Sequence, residues 1–383
     1  MADEGCEMRK IQKLSLLLII LSYSNFCTSN EKNIMLLNKE IDQLSQRFIS
    51  DKSLSFNSTL ITKNGQDLEI RGKTTSKDLY NELMIFSDSL NLKFDVLLLP
   101  DSSLKESIYG IVNVSALPMR EDPSHLSQMV DQLIMGNTVK ILYEKNNWYL
   151  IQNHYQYIGW ITKPSIYRCA SEGVDSWLKQ SKYMANKAHS IVYSDSNEHS
   201  HPITDLVLNS RLKIDRITFK WAQTHLPDGR IGYVKKSDLK SIKEPIYNTQ
   251  LIQNILKSAK TMIGVPYLWG GNSSKGNDCS GFTQTVFASV GILIPRDARQ
   301  QAVLGSNVNK TEAEAGDLFF FGDGEKVRHV AICLGGLEFI HQGSRFEGKV
   351  DIHSLDPNST LYNQYRDSTF MFAKHILSRK GHN

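Results

Sequence analysis

Three side chains in the last third of the chain have types and spacings that could do chemistry. Cys279 lies in "GNDCSGF", and His329 and His341 bracket "HVAICLGGLEFIH". A thiolate is a strong nucleophile, and an imidazole that takes a thiol proton can return it to a leaving amine. A third group bonded to the other ring nitrogen holds such a base in place. By type alone Cys279 could also be an apolar filler, half of a disulfide or a metal ligand. The small polar residues beside it and the two spaced histidines favour the nucleophile, with His329 as base and His341 as its orienter.

The elements that must position these groups are legible nearby. Phe282, Val286, Phe287 and Val290 recur at helical spacing after Cys279, with Gly291 at the C-terminal position glycine favours. Asp278 can cap the helix start, which puts Cys279 in the first turn. The unpaired amides and the dipole there should lower the thiol pKa and receive an oxyanion. The charge on Asp278 opposes this, so an imidazolium is expected to restore the balance. The two histidines open and close a hairpin. A two-residue loop at Gly335 and Gly336 would put His341 on the opposite face from His329. A three-residue loop, 334–336, pairs Cys333 with Leu337 and His329 with His341, the latter with Cβ atoms about 5 Å apart. The three-residue loop is the expectation, with Ala331 and a core thiol, Cys333, on the same face.

The rest of the chain divides at turn signals and composition shifts. Residues 9–23 join Arg9, Lys10 and Lys13 to the apolar run "LSLLLIILSY", too short to span a bilayer and suited to a secretory signal over 1–29. Cys27 would serve a lipid anchor, but the bulky Phe26 beside it favours simple export. Residues 30–107 mix helix and strand patterns, with Thr75 or Ser76 as a helix cap. Two segments then repeat weakly. Each has a short strand, a strand opened by Trp148 or Trp221, and a closing triplet, Gly159-Trp160-Ile161 or Gly232-Tyr233-Val234. They read as two small β-modules, 108–168 and 187–240, whose tryptophans fill their cores. A linker leads to an amphipathic helix and a last domain, 250–383. His125, His154, His225 and His353 fit no pattern and are expected on the surface.

Composition is that of an ordinary globular chain of 383 residues, 40% hydrophobic and 22% charged, with a net charge of +4. No basic stripe with interleaved aromatics occurs, so a nucleic-acid partner is not expected. After loss of the signal, Cys169, Cys279 and Cys333 remain, an odd number with no zinc spacing. No metal or other cofactor is expected, and neither GxSxG, HExxH nor a Walker loop offers another chemistry.

In chain order, "PYLWGG", "DCSGF", "IPRDARQQ", "GDLFFF", "HVAICLG" and "FIHQG" resemble the NlpC/P60 family of cysteine peptidases, over about 250–377. The β-modules are similar to bacterial SH3-like domains. The resemblance implies an α+β fold: a papain-like catalytic domain preceded by two small SH3-like barrels and a small N-terminal α+β unit. It implies a triad of Cys279, His329 and His341, with Tyr267 at the oxyanion site. Substrate contacts carried over in the same way are Trp269, Asp278, Ser280, Arg296 and Asp297, with Tyr157 of the first barrel as a wall of the cleft. Asp278 would hold the free amine of an N-terminal L-Ala, and Asp297 would do the same or position Arg296. The sequence departs from the pattern at Gln128, where some relatives carry Glu, and at Ala298, where Ser is frequent.

The implied activity is that of an exported γ-D-glutamyl-L-diamino-acid endopeptidase of the periplasm or cell envelope. It would act on short peptidoglycan stem peptides of the type L-Ala-γ-D-Glu-diamino acid, as a monomer. Two other classes compete: a wall-binding module with an inactive catalytic domain, and a thiol amidase or acyltransferase on a related fold. Turnover of a defined stem peptide separates the first from the enzyme, and product masses from cell wall separate the second.

Overall fold

A computed structural model describes residues 31–377 apart from residue 66 and residues 345–346. The expected signal segment 1–29, with Cys27, lies outside the described residues. None of the described helices is long and apolar enough to cross a membrane.

The chain forms two compact units that divide after Lys105. In the first, helices Glu31–Phe48 and Lys77–Ser89 cover a three-stranded sheet. Ile41, Leu44, Ile61, Ile70, Leu79 and Leu83 are buried between them. The second helix starts at the Ser76 cap, whose hydroxyl accepts the Leu79 N–H at 3.2 Å.

The second unit begins with two seven-stranded sheets, Tyr109–Cys169 and Tyr183–Ser241. Their repeat is a repeat of register. In the first, Trp148 faces Thr162 and Ile151 faces Gly159; in the second, Trp221 faces Lys235 and Thr224 faces Gly232. Each glycine thus sits opposite the residue three after the tryptophan. Trp148 and Trp160 are buried as expected, whereas Trp221 is half-buried against the edge of Tyr193. Helix Ser171–Gln180 joins the two sheets, and its Trp177 donates to the Gly136 carbonyl at 3.0 Å.

The last part is α+β. Its six strands are antiparallel, in the order Ser306–Val308, Phe370–His375, Leu318–Gly322, Val327–Gly335, Glu338–Gln342 and Val350–Ser354. Helix Cys279–Ala288 lies among buried residues along its length. Phe282, Val286 and Phe287 pack with Phe320, Val330, Ile332 and Ile340 from one face of the sheet. Phe319, Phe321, Ala331, Cys333 and Phe339 form a second apolar cluster from the alternate positions.

The helix is held by both barrels. A Cβ on Gly281 would sit 2.1 Å from the Gly271 carbonyl oxygen, so the helix start presses directly on the preceding loop. That loop meets the first barrel, where Asn272 N–H reaches Gln132 at 3.3 Å. Near the other end, Asn209 of the second barrel donates to the Thr285 carbonyl at 2.9 Å.

Candidate active site

Asp278 takes the N-cap position of the Cys279–Ala288 helix and accepts the Gly281 N–H at 2.8 Å. Cys279 is therefore the first helical residue. Its sulfur draws on the backbone amides of Ser280 and of Val330, the residue after His329, both of which favour the thiolate. Burial is the larger effect and the Asp278 charge adds to it, so the Cys279 thiol is pushed up to about 12. The expected lowering of this pKa by the helix start is thus overturned: a half-buried cysteine beside a carboxylate loses more than the dipole gives.

The imidazoles are neutral as well. Burial, the Arg366 guanidinium and the mutual influence of the rings hold His329 well below the usual histidine range, and burial with Arg366 and His353 does the same for His341. The resting pair is a neutral thiol and a neutral imidazole. No standing imidazolium offsets Asp278; Arg296 does. Its guanidinium reaches both Asp278 oxygens, at 3.0 and 2.6 Å.

His329 Nε2 and His341 Nδ1 are 2.8 Å apart, so both rings lie on one face of the sheet. The hairpin reaches this differently from the expectation. Ile332 faces Ile340 and Cys333 faces Phe339, a bulge follows at Leu334, and Gly335 faces Glu338 across a turn of Gly336 and Leu337. Gly335 and Gly336 both take positive φ, +123° and +60°. Continued down the strands, this register sets His341 beside Ala331, diagonal to His329. A shift of two residues from the expected pairing keeps the faces, whereas a shift of one would have reversed them.

The histidine chain continues past the second ring. His341 Nε2 is 3.0 Å from His353 Nδ1 and 3.9 Å from the Glu347 carboxylate. His353 is half-buried in this chain, not free on the surface as its lack of pattern implied.

Tyr267 lies near the sulfur. Its N–H bonds to the Gly348 carbonyl at 2.8 Å, and its backbone bridges Asn277, two residues before Cys279. Burial and the nearness of the Cys279 and Asp278 charges push its hydroxyl upward, so it stays a donor. Trp269, in the same loop, is 62% exposed.

The remaining expected substrate contacts fall into two groups. Asp278, Ser280 and Arg296 spend their polar atoms on one another. Arg296 is 2% exposed and donates to Asp131, Asp278, Ser280 and the Gly271 carbonyl, while Ser280 donates to Asp278 at 3.2 Å. This corrects the expectation that Asp278 holds a peptide amine: its oxygens are already filled by a guanidinium and two backbone amides, those of Gly270 and Gly281. Asp297 and Tyr157 form the second group. The Tyr157 hydroxyl, from the first barrel, donates to Asp297 at 3.3 Å. Tyr157 is both barrel core, 8% exposed, and the barrel's contact with the site.

Sequence reasoning missed Asp131. It is fully buried, bonds Arg296 at 2.6 Å and Asn153 at 3.1 Å, and is bonded by the Tyr155 hydroxyl. Burial raises its pKa against the pull of Arg296. The available signal was an acid inside the strand pattern "MVDQLI", which has no place in a barrel wall without a cationic partner.

Comparison with known proteins places these features. Residues 264–369 match the NlpC/P60 family model, and residues 115–166 match that of the bacterial SH3 domain. A protein of Bacillus cereus named gamma-D-glutamyl-L-lysine dipeptidyl-peptidase is 29% identical over 248 residues, covering 61% of this chain and 72% of its own. Dipeptidyl-peptidase 6 of Lysinibacillus sphaericus is 28% identical over 252 residues, 63% of this chain and 90% of its own. A crystal structure of an NlpC/P60 family protein from Bacillus cereus superposes with a TM-score of 0.61 at 24% identity, over 70% of this chain and 100% of that one.

Proposed function

Because this chain belongs to the NlpC/P60 family and is a cysteine peptidase, we propose that Cys279 is its nucleophile and that it cuts the γ-D-glutamyl–diamino-acid bond of short peptidoglycan peptides. The reading rests above all on one observation: a helix-start cysteine whose sulfur meets the Val330 amide, next to a histidine bonded at 2.8 Å to a second one.

The proposed steps follow from the protonation states. His329 Nε2 is engaged by His341, which leaves Nδ1 for the thiol. His329 takes the thiol proton as Sγ attacks the γ-carbonyl carbon, because neither group is charged at rest. The oxyanion forms against the Tyr267 hydroxyl and the Cys279 N–H at the helix start. The C–N bond then breaks, His329 returns the proton to the leaving amine, and the acyl group remains on sulfur as a thioester. Water, deprotonated by His329, releases the acid and restores the thiol. His341 accepts from His329 Nε2 and keeps the free lone pair on Nδ1.

Asp297 takes the amine-holding part first expected of Asp278. It is half-buried, touches Tyr157 of the barrel and is paired at 3.0 Å with Arg299, whose side chain is 52% exposed, so a peptide with a free N-terminus would meet a carboxylate and a phenol by displacing a surface arginine rather than a buried one. The names of the relatives support this choice of bond, and the basic, apolar segment 1–29 supports export to the cell envelope.

Mass spectrometry of L-Ala-γ-D-Glu-L-Lys and its diaminopimelate counterpart, each with free and acetylated N-termini, tests the proposal. The native chain is expected to release L-Ala-γ-D-Glu from the free peptides only, and Cys279→Ala to release none. Retained cleavage by Cys279→Ala would end the nucleophile assignment, and equal cleavage of acetylated peptides would end the role of Asp297.

A further inference from the structure

Beside the peptidase site, and sharing His341 with it, lies a cluster whose other members, Glu347 and His353, the mechanism does not use. His341 Nε2, His353 Nδ1 and a carboxylate oxygen of Glu347 all lie within 4.8 Å of one another. We propose that these three side chains form a site for a divalent transition metal such as zinc, and that its occupation silences the catalytic pair.

The geometry is close to that of a metal site. Zinc binds imidazole nitrogens at about 2.0–2.1 Å, which puts tetrahedral ligand atoms roughly 3.3 Å apart. The two ring nitrogens are 3.0 Å apart, and Glu347 Oε1 is 3.9 Å from His341 Nε2. A carboxylate movement of at most about 1.5 Å would close the set, with water as the fourth ligand. Two imidazoles and one carboxylate suit zinc, cobalt or copper better than calcium or magnesium.

Independent features point to a missing cation. The Glu347 side chain is 7% exposed; Oε1 is the oxygen 3.9 Å from His341, whereas Oε2, beside Gly343, is buried with no hydrogen-bond donor, so a turn of the carboxylate would offer the undonated oxygen to a cation. A buried carboxylate oxygen without a donor is costly unless a proton or a cation meets it. Its orientation is built: Asn363 Nδ2 donates to Oε1 at 3.2 Å, and Asn363 is itself fixed by accepting the Arg366 N–H at 3.0 Å. Gly343 leaves the room, since a Cβ there would lie 2.2 Å from Oε2. The strand register delivers the rings, with His341 facing Asp351 and His353 facing Phe339, so the two histidines are diagonal neighbours on one face. The Arg366 charge is felt at His341 and weakens the site; the Glu347 carboxylate offsets it.

The consequence for catalysis is a matter of tautomers and rests on the peptidase reading above. A metal takes the lone pair of His341 Nε2, so the proton of that ring must sit on Nδ1. Nδ1 then donates to His329 Nε2, 2.8 Å away. With Nε2 accepting, the proton of neutral His329 is forced onto Nδ1, the nitrogen that has to receive the thiol proton. The base is blocked without any ligand reaching the substrate cleft.

Two arms test this. Cobalt(II) alone is titrated into the full chain carrying Cys279→Ala, which removes the competing thiol. Four-coordinate visible bands are expected at one metal per chain, at least about tenfold weaker in binding when Glu347→Gln or His353→Gln is added. Circular dichroism confirms that each variant folds. In the second arm, zinc inhibition of peptide cleavage is measured for the chain with Cys279 intact, each variant being normalised to its own metal-free rate. Sensitivity is expected to fall at least about tenfold in both variants. Absence of the bands, or equal cobalt binding in the variants, would overturn the site. Binding without inhibition, or equal zinc sensitivity in all forms, would overturn the switch, the latter placing the metal on Cys279 directly. The cobalt arm needs no activity, so it stands or falls apart from the peptidase reading.

Discussion

Arg296 carries the most quantitative expectation. Its five N–H groups are all used, on Asp131 at 2.6 Å, on Asp278 at 2.6 and 3.0 Å, on Ser280 at 3.1 Å and on the Gly271 carbonyl at 3.3 Å. Arg296→Met keeps much of the volume and leaves two buried carboxylates without their cation. Removing one partner of a buried pair costs about 3–5 kcal/mol. The remaining donors to Asp131 and Asp278 keep the cost from doubling. Burial already raises the Asp131 pKa against the pull of Arg296, so without the guanidinium its folded pKa would rise further above the unfolded value and stability would be lost as pH rises. The deficit against the native chain should therefore shrink as pH falls, by up to about 1.4 kcal/mol per unit for Asp131, until the unfolded value near 4 is reached. Urea unfolding read by tryptophan fluorescence at pH 7.5 and 5.5 measures this, urea being uncharged. Arg296→Met with Asp131→Asn and Asp278→Asn should recover most of the loss. A deficit under about 1 kcal/mol, the same deficit at both pH values, or a triple variant no more stable than the single one would refute the reasoning.

Other expectations follow from the site. The folded pKa values of His329 and His341 are depressed, so below the unfolded value near 6.5 the unfolded chain takes protons that the native one refuses. Stability should fall with acid by up to about 1.4 kcal/mol per unit for each ring, and urea midpoints from pH 7 to 5 should show a shallower slope in His341→Gln. The acid limb of kcat/KM should lie below the ordinary histidine range, read from peptide cleavage between about pH 4 and 8, the span in which imidazole and carboxyl groups titrate. With its thiol at about 12, Cys279 depends on its base, so iodoacetamide labelling at neutral pH, followed by mass spectrometry, should slow at least about tenfold in His329→Gln. Tyr267→Phe should lower kcat by about 100–1,000-fold with little change in KM, as expected when an oxyanion donor is lost.

Residue types and face parity were legible in the sequence; register and charge balance were not. Asp278, and Thr75 or Ser76, announced themselves as caps because an acceptor before an apolar period has one economical use; Asp278 and Ser76 cap their helices. The placing of His329 and His341 on one face was readable because any even slip of the hairpin preserves it. The slip itself was not, since the bulge at Leu334 is decided by how the Gly335–Gly336 backbone turns and by what Cys333 packs against. The Cys279 thiol was read in the wrong direction because burial acts through the whole fold, whereas a helix start can be seen in a few letters. Asp131 and Arg296 are 165 residues apart, and His353 meets His341 only across a third strand. Such pairings have no local signature.

The helix that bears Cys279 is gripped at its start through Arg296 and Asp131 and near its end through Asn209. A fragment of this chain beginning at residue 250 would leave behind the acid that Arg296 answers and the amide that covers Thr285. A graft of the segment should therefore carry Asp131 and Asn209, or substitutes for them, if the helix is to keep the same hold.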